Sequence, residues 1–277
     1  MPPDGRRIFA MGGGGFSTHP ADPALDEFVL GLAQGRREPR VCLLPTAGGD
    51  AQEQIVRFHA ALDGHSCVAS HLSLFRLGHR PVSLREHLLG QDIIYVGGGS
   101  MLNMLAIWRA HGLDELMREA WEAGVVLCGL SAGSMCWFEG GITTSTGRPA
   151  PAAGLGLLPG ANSVHWNSEP NRRPAFLAAV RDGVLPDGWG VDDGVGLLFE
   201  GTELTDAVSA RPRAGAVRVA RAAGDAGVAE TPVPCRRLPD GPRPGLTPPT
   251  ELAELRRMRD ARPTANRLGH RRAGIRD

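Results

Sequence analysis

Apolar positions along the chain follow two different spacings. Short apolar runs occur at 7–11, 40–45 and 92–96, each after one charged first residue, and at 125–128; all are closed by glycine, proline or small polar residues. Runs of that length without polar alternation predict strands buried on both faces. Between them lie stretches with helical spacing: 23–32 (Leu25, Phe28, Val29, Leu32), a segment through Leu62 with Asp50 as its expected N-cap, then 82–89, 101–110 and 113–123. Residues 67–74 alternate enough to supply one more strand. Strand and helix therefore take turns through the first half. That order predicts an α/β fold with a mostly parallel, doubly wound sheet and helices on both faces.

The second half has a different texture. Residues 140–159 are rich in Gly, Thr, Ser and Pro and read as a loop. A strand candidate at 161–166 follows, and Ser168-Glu169-Pro170 opens a helix at about 173–182. The stretch 189–199 reads as two strands joined at an Asp192-Asp193-Gly194 turn, and 207–220 as one more hairpin, giving a C-terminal β-hairpin region. From residue 239 prolines and then arginines dominate. The expected organisation is a single domain over 1–238 and a disordered Pro/Arg-rich tail over 239–277, with one short helix around 251–259.

Composition narrows the chemistry. The 277 residues carry a formal net charge of zero, so no field draws the chain to nucleic acid or to an anionic membrane. Every basic side chain other than histidine is arginine. Without lysine there is no Ser–Lys dyad, no Schiff base and no P-loop lysine. The five cysteines are odd in number and show no C-x-x-C spacing, as expected of reduced thiols in a cytoplasmic protein. The start shows no signal-peptide core, and no apolar run reaches the ~18 residues of a membrane span.

Against that background one stretch stands out. Val125-Val126-Leu127-Cys128 runs into Gly129-Leu130-Ser131-Ala132-Gly133, a G-x-S-x-G match between a strand and a short helix. That context presents a serine hydroxyl on a sharp turn at the carboxyl edge of a sheet, with the Ala132 N–H beside it. Gly97-Gly98-Gly99 also follows a strand and opens a helix, a loop of exposed N–H groups suited to an oxyanion. Gly12-Gly13-Gly14-Gly15 predicts a tight turn with bare backbone; it does not complete a nucleotide-binding G-x-G-x-x-G.

A serine nucleophile needs a base, and the base needs an orienting group. Seven of the nine histidines precede Ser131, and His270 lies in the tail. His165, flanked by Trp166 and Asn167, is the remaining candidate. For the acid, Glu139, Glu169, Asp192 and Asp193 all qualify on pattern, with Glu139 expected to close the helix after the serine. The order Ser, His, acid differs from the Ser, acid, His order of α/β-hydrolases, which would require His270 as base.

Ile93-Ile94-Tyr95-Val96-Gly97-Gly98-Gly99, Gly129-Leu130-Ser131-Ala132-Gly133, Val164-His165 and Asp192-Asp193-Gly194 together resemble the dipeptidase E family of serine peptidases, peptidase family S51. That family includes cyanophycinase-like enzymes and has a sheet related to class I glutamine amidotransferases. The similarity spans roughly 6–238. It implies Ser131 as nucleophile, His165 as base and Asp193 as third member, with Asp192 and Glu139 as alternatives. Gly98 or Gly99 together with Ala132 would then form the oxyanion hole. It also implies a dipeptidase-like activity on small peptides, no cofactor or metal, and a possible homodimer. Two positions depart from the family: Ser100 stands where Asn is frequent, and Thr143-Thr144-Ser145-Thr146 replaces a Thr-Thr-Asn-Asp run tied to N-terminal aspartate. Arg172 and Arg173 sit where they would either grip a carboxylate or cap a solvated helix. A ligand-binding protein without catalysis, and an esterase or amidase of non-peptide substrates, are the alternative functions.

Overall fold

A computed structural model describes residues 5–17, 23–77, 83–222 and 227–239. Strand and helix alternate first: β1 (Arg7–Met11), α1 (Pro23–Leu32), β2 (Arg40–Leu44), α2 (Gln52–Leu62), β3 (Val68–His71), α3 (Leu84–Leu89), β4 (Ile93–Val96), α4 (Met101–His111), α5 (Leu113–Glu122) and β5 (Val126–Leu130). The chain continues through α6 (Ala132–Met135), β6 (Phe138–Thr143), β7 (Ala150–Ala153), β8 (Leu158–Val164), α7 (Arg172–Arg181), β9 (Gly188–Val191) and β10 (Val195–Glu200). It ends with β11 (Glu203–Ser209), β12 (Ala216–Arg221), β13 (Val228–Val233) and β14 (Arg236–Arg237).

These strands form two sheets. The larger has the order β14-β11-β10-β1-β5-β4-β2-β3 and the smaller β13-β12-β9-β8-β6-β7. In the larger, β1, β5, β4, β2 and β3 are all parallel neighbours, while β10 and β11 are added antiparallel. The apolar runs predicted to be buried on both faces are so. Ile8, Ala10, Cys42, Leu44, Ile94, Val96 and Leu127 face a cluster with Trp108 and Trp121, contributed by α4 and α5. The intervening residues Phe9, Met11, Val41, Leu43, Ile93, Tyr95, Val126 and Cys128 face Leu25, Val29, Ile55 and Phe58 from α1 and α2. One strand thus feeds two cores, which is why no polar residue alternates within it. Among the described residues no helix is long and apolar enough to cross a membrane.

The smaller sheet corrects four expectations. Residues 140–159 are not a loop, because β6, β7 and the start of β8 occupy much of that range. Glycines there serve close strand approach: a Cβ on Gly141 would stand 2.3 Å from Asn162 O and one on Gly140 3.0 Å from Ala152 O. Glu139 lies inside β6 rather than at a helix end. The turn at Asp192-Asp193-Gly194 does not join a hairpin, since β9 pairs with β8 and β12 whereas β10 pairs with β1 and β11. A second crossing separates β11 from β12, so 207–220 is not a hairpin either; β6–β7, β10–β11 and β12–β13 are hairpins among the described residues. Pairing over long separations decides sheet membership, and local periodicity does not register it.

Asp50 also departs from its expected role. Helix α2 begins after Ala51 without a side-chain cap. Asp50 has φ 54°, and its carboxylate instead accepts the Ser73 hydroxyl and, at 3.3 Å, the Phe75 N–H. His19, His79, His270 and the expected tail beyond Pro239, with its helix at 251–259, lie outside the described residues.

Candidate active site

Three adjacent parallel strands, β1, β5 and β4, each end in a glycine-bearing loop at one edge of the larger sheet. That is where ligand sites form in open α/β sheets. At the centre, Ser131 follows β5 with φ 55° and ψ −114°, a conformation sparsely populated by residues with a Cβ. Its N–H donates to Met11 O at 3.2 Å. The flanking glycines are required by proximity: a Cβ on Gly129 would lie 2.2 Å from Gly133 O, and one on Gly133 2.4 Å from Val96 O. The G-x-S-x-G spacing is therefore the imprint of a turn folded onto itself and onto β4.

The second sheet delivers two further side chains to this edge. Val164 and Val191 are register partners at the ends of parallel β8 and β9, so His165 and Asp192 leave the sheet side by side. β8 is fastened to the short helix after Ser131 by a buried bond from Asn162 Nδ2 to Ser134 Oγ, 3.0 Å. His165 has φ 55°, and its carbonyl accepts the N–H groups of Ser168 and Glu169 at 3.1 and 2.9 Å. Trp166 stacks edge-on against Phe176 of α7, ring centroids 5.8 Å apart, and covers Gly190. The link from β9 to β10 then carries Asp193 across the end of β1.

The outcome is a continuous chain of contacts. His165 Nε2 lies 2.9 Å from Ser131 Oγ, and His165 Nδ1 lies 2.6 Å from Asp193 Oδ1. Because a carboxylate only accepts, the ring proton belongs on Nδ1, leaving the Nε2 lone pair for the serine hydroxyl. The imidazole is 23% and the carboxylate 19% exposed, so solvent reaches the pair only in part. The second oxygen of Asp193 accepts the Ser168 hydroxyl at 2.6 Å, and the Asp193 N–H donates to Asn167 Oδ1 at 3.2 Å. Burial pushes the Asp193 carboxyl up, but bonds from His165 and Ser168, with the charges of His165 and Arg211, more than offset it and hold it below its ordinary value.

The other acids are engaged elsewhere. Asp192 Oδ2 accepts the Gly215 N–H at 2.9 Å, and burial raises its pKa. Glu139 is exposed and accepts the Gly160 N–H at 3.0 Å. Glu169 pairs with Arg172, Nε to Oε2 at 2.5 Å. Arg172 is not at a solvated helix end: it is buried, 4% exposed, and the carboxylate it grips is that of Glu169. Its guanidinium also donates to Ile142 O at 2.7 Å and Thr144 Oγ1 at 3.1 Å, tying α7 to β6. Arg173, 53% exposed, pairs with Glu230.

Gly98 lies against the serine, where an added Cβ would be 3.3 Å from Ser131 Cβ, and Ala132 is the first residue of α6. Ser100 caps α4 by accepting the Asn103 N–H at 3.3 Å, a role for which serine and asparagine are equally suited. In the departing Thr143–Thr146 run, Ser145 Oγ accepts the Leu102 N–H at 3.4 Å. Among the described residues no group of three or more His, Cys, Asp or Glu could hold a metal.

Two features were not legible as site residues. Gly13 forms the floor under the histidine–acid pair: a Cβ there would lie 2.2 Å from Asp193 Oδ1 and 3.0 Å from His165 Cε1, and its carbonyl accepts the Gly194 N–H at 2.8 Å. The glycine run announced bare backbone, but not which partner pressed on it. Ser168, read as part of a helix start, is a ligand of the carboxylate; no local signal marks it.

The chain is similar to known peptidases in sequence and in fold. A Bacillus subtilis (strain 168) protein, "Uncharacterized peptidase YgaJ", is 44% identical over 234 residues, covering 84% of this chain and 99% of that protein. The crystal structure of a peptidase from an acI-B1 Actinobacterium superposes with TM-score 0.59 at 20% identity, covering 83% of this chain and 94% of the other. A putative peptidase E protein from Listeria monocytogenes EGD-e gives TM-score 0.53 at 18% identity, covering 74% and 98%. At such identities the two structures speak for the fold alone. The sequence model of peptidase family S51 matches residues 8–207, and with the close relative it shows that this chain belongs to that family.

Proposed function

We propose that the protein is a serine exopeptidase of short peptides, a dipeptidase E-like enzyme working through an acyl-enzyme. The observation that carries this is the contact chain Ser131–His165–Asp193, at 2.9 and 2.6 Å, on an edge built for it. Ser131 Oγ attacks the scissile carbonyl while His165 Nε2 takes its proton. The same nitrogen then protonates the leaving amine, and the acyl group stays on Ser131. Water, deprotonated by His165, releases it. Asp193 keeps the imidazole proton on Nδ1 and stabilises the imidazolium formed in each half-reaction. N–H groups of Ala132 and of Gly98 or Gly99 receive the oxyanion; one such donor is worth about 3–4 kcal/mol in other serine hydrolases. The 143–146 run holds no carboxylate; the Thr143 and Ser145 hydroxyls bond to each other, Ser145 also to α4, and Thr144 to Arg172, so we infer a preference other than N-terminal aspartate.

A peptide-library digest with wild type and Ser131→Ala side by side tests the reading. Turnover should fall by a factor on the order of 10⁴–10⁶ in the variant with little change in melting temperature. A fluorophosphonate should modify Ser131 of the wild type. Undiminished cleavage by Ser131→Ala removes the serine mechanism; hydrolysis of acyl esters but of no peptide transfers it to an esterase.

A further inference from the structure

The loop after β4 has three consecutive glycines, and each is explained by a separate contact. A Cβ on Gly97 would lie 2.4 Å from Gln54 Oε1, one on Gly98 2.9 Å from Leu130 Cδ1, and one on Gly99 2.1 Å from Ala47 O. Gly99 has φ 142°, open in practice only to glycine. The loop is thus clamped between the Ser131 turn on one side and the segment leading into α2 on the other. Ser100 N–H donates to Ala47 O at 2.8 Å, fixing the far end of the clamp.

The side chain that reaches into this clamp is Gln54, from the first turn of α2. Its Nε2 donates to Gly98 O at 3.2 Å, across 44 positions of sequence. Its Oε1 is buried and, among the described residues, accepts no hydrogen bond. A buried amide oxygen without a donor costs about 1–3 kcal/mol, so the side chain is poorly explained as a stability element alone. What it does hold is a peptide plane. The Gly98 carbonyl and the Gly99 N–H belong to one planar trans unit and point in opposite directions. Drawing Gly98 O toward α2 turns the Gly99 N–H away from α2, to the side where the loop meets Ser131.

We propose that Gln54 is a positioning residue of the oxyanion hole: by fixing the Gly98–Gly99 peptide it makes the Gly99 N–H, with that of Ala132, the donor to the developing oxyanion. This rests on the peptidase reading above. The interaction matters in the transition state and not in the bound substrate, so its loss appears in kcat rather than KM.

Gln54→Leu keeps the bulk and removes the donor; Gln54→Glu is isosteric and places an acceptor against Gly98 O. Both should lower kcat on the best library peptide by about ten- to hundredfold and leave KM within about twofold. The rate of Ser131 phosphonylation by a fluorophosphonate should fall in parallel, because its phosphoryl oxygen needs the same donors. Should Gln54→Leu fail to fold, Gln54→Glu carries the test. Unchanged kcat and phosphonylation in a folded variant overturn the proposal, as does a raised KM at constant kcat, which would make Gln54 a substrate contact. A wild type that neither cleaves peptides nor labels at Ser131 fails at the earlier step, and overturns the peptidase reading together with this one.

Discussion

The two sheets supply the proposed triad in different ways. In the larger sheet, β1, β4 and β5 are apolar apart from Arg7 at the start of β1, lie side by side, and end in loops whose glycines sit in sequence next to the strands they terminate. Ser131 is placed by its own neighbours: Gly129, Gly133 and the end of β4 leave it one position. In the smaller sheet the strands carry few large side chains, as in Phe-Glu-Gly-Gly-Ile-Thr of β6 and Leu-Pro-Gly-Ala-Asn-Ser-Val of β8. His165 and Asp193 are placed by what those strands pair with, and by a crossing from one sheet to the other. The nucleophile is a local construction. The base and acid are an assembly across the molecule, and should be the more easily disturbed by changes at a distance.

The sharpest break in that assembly is at the acid. Asp193→Asn keeps size and shape but offers His165 Nδ1 an N–H, which favours the tautomer with its proton on Nε2. In trypsin-like enzymes the corresponding change costs a factor on the order of 10⁴ in kcat, and a loss of that order is expected here with the fold intact. The same change at Asp192, whose carboxylate is held by Gly215 N–H, should leave most activity. Steady-state kinetics of the two variants, with circular dichroism as the fold control, separates the acids. A larger loss in Asp192→Asn would show that the contact pattern misassigns the third member.

Next in size is an effect from the larger sheet acting on the smaller sheet's residues. In Gly13→Ala the new methyl would meet Asp193 Oδ1 at 2.2 Å, so the acid and the imidazole must shift together. A displacement of about 1 Å in such a group costs on the order of a hundredfold in rate, and overpacking costs about 1–3 kcal/mol of stability. Crystallography of the variant should show the Ser131–His165 contact lengthened. Full activity would mean that Gly13 is glycine for the turn alone.

How much of this was readable follows from the same contrast. The strand–helix alternation, the elbow at Ser131 and the loop at Gly97, Gly98 and Gly99 are legible because each depends on residues within a few positions of one another. His165 was reached by elimination among histidines, and the choice among Asp192, Asp193 and Glu139 came from resemblance. No property of Asp-Asp-Gly tells which carboxylate turns toward β1, because that depends on β9 and β10 joining different sheets. Arg172 misled for a similar reason: an arginine beside a helix start looks solvated until β6 is known to run beneath it. Strands such as β6 and β8 escaped because glycine and small polar residues are the adaptation to close backbone approach, and the same composition marks loops.

The smallest predicted effect probes how the acid itself is held. Ser168 Oγ donates to Asp193 Oδ2 at 2.6 Å from an exposed position, where water can replace it in a Ser168→Ala variant. The loss in kcat/KM should therefore be modest, about three- to tenfold, from a charge-assisted bond partly restored by solvent. The pH dependence of stability gives a second reading. Asp193 has a folded-state pKa below its unfolded one, so its contribution is complete at neutral pH and is lost as pH falls through the folded value. The hydroxyl is one of the groups that depress that value. Its removal raises the folded pKa toward the unfolded one, which shrinks the contribution and starts its loss at higher pH. Melting temperatures of wild type and Ser168→Ala should thus differ at pH 7 and converge once the pH falls below the folded-state pKa of the wild type, where Asp193 is protonated in both proteins. Ser168→Thr, which keeps the hydroxyl, should track the wild type across the range. A constant gap between Ser168→Ala and wild type down to low pH would assign the serine to packing of the 165–169 turn, and leave His165 as the principal group holding Asp193 ionised.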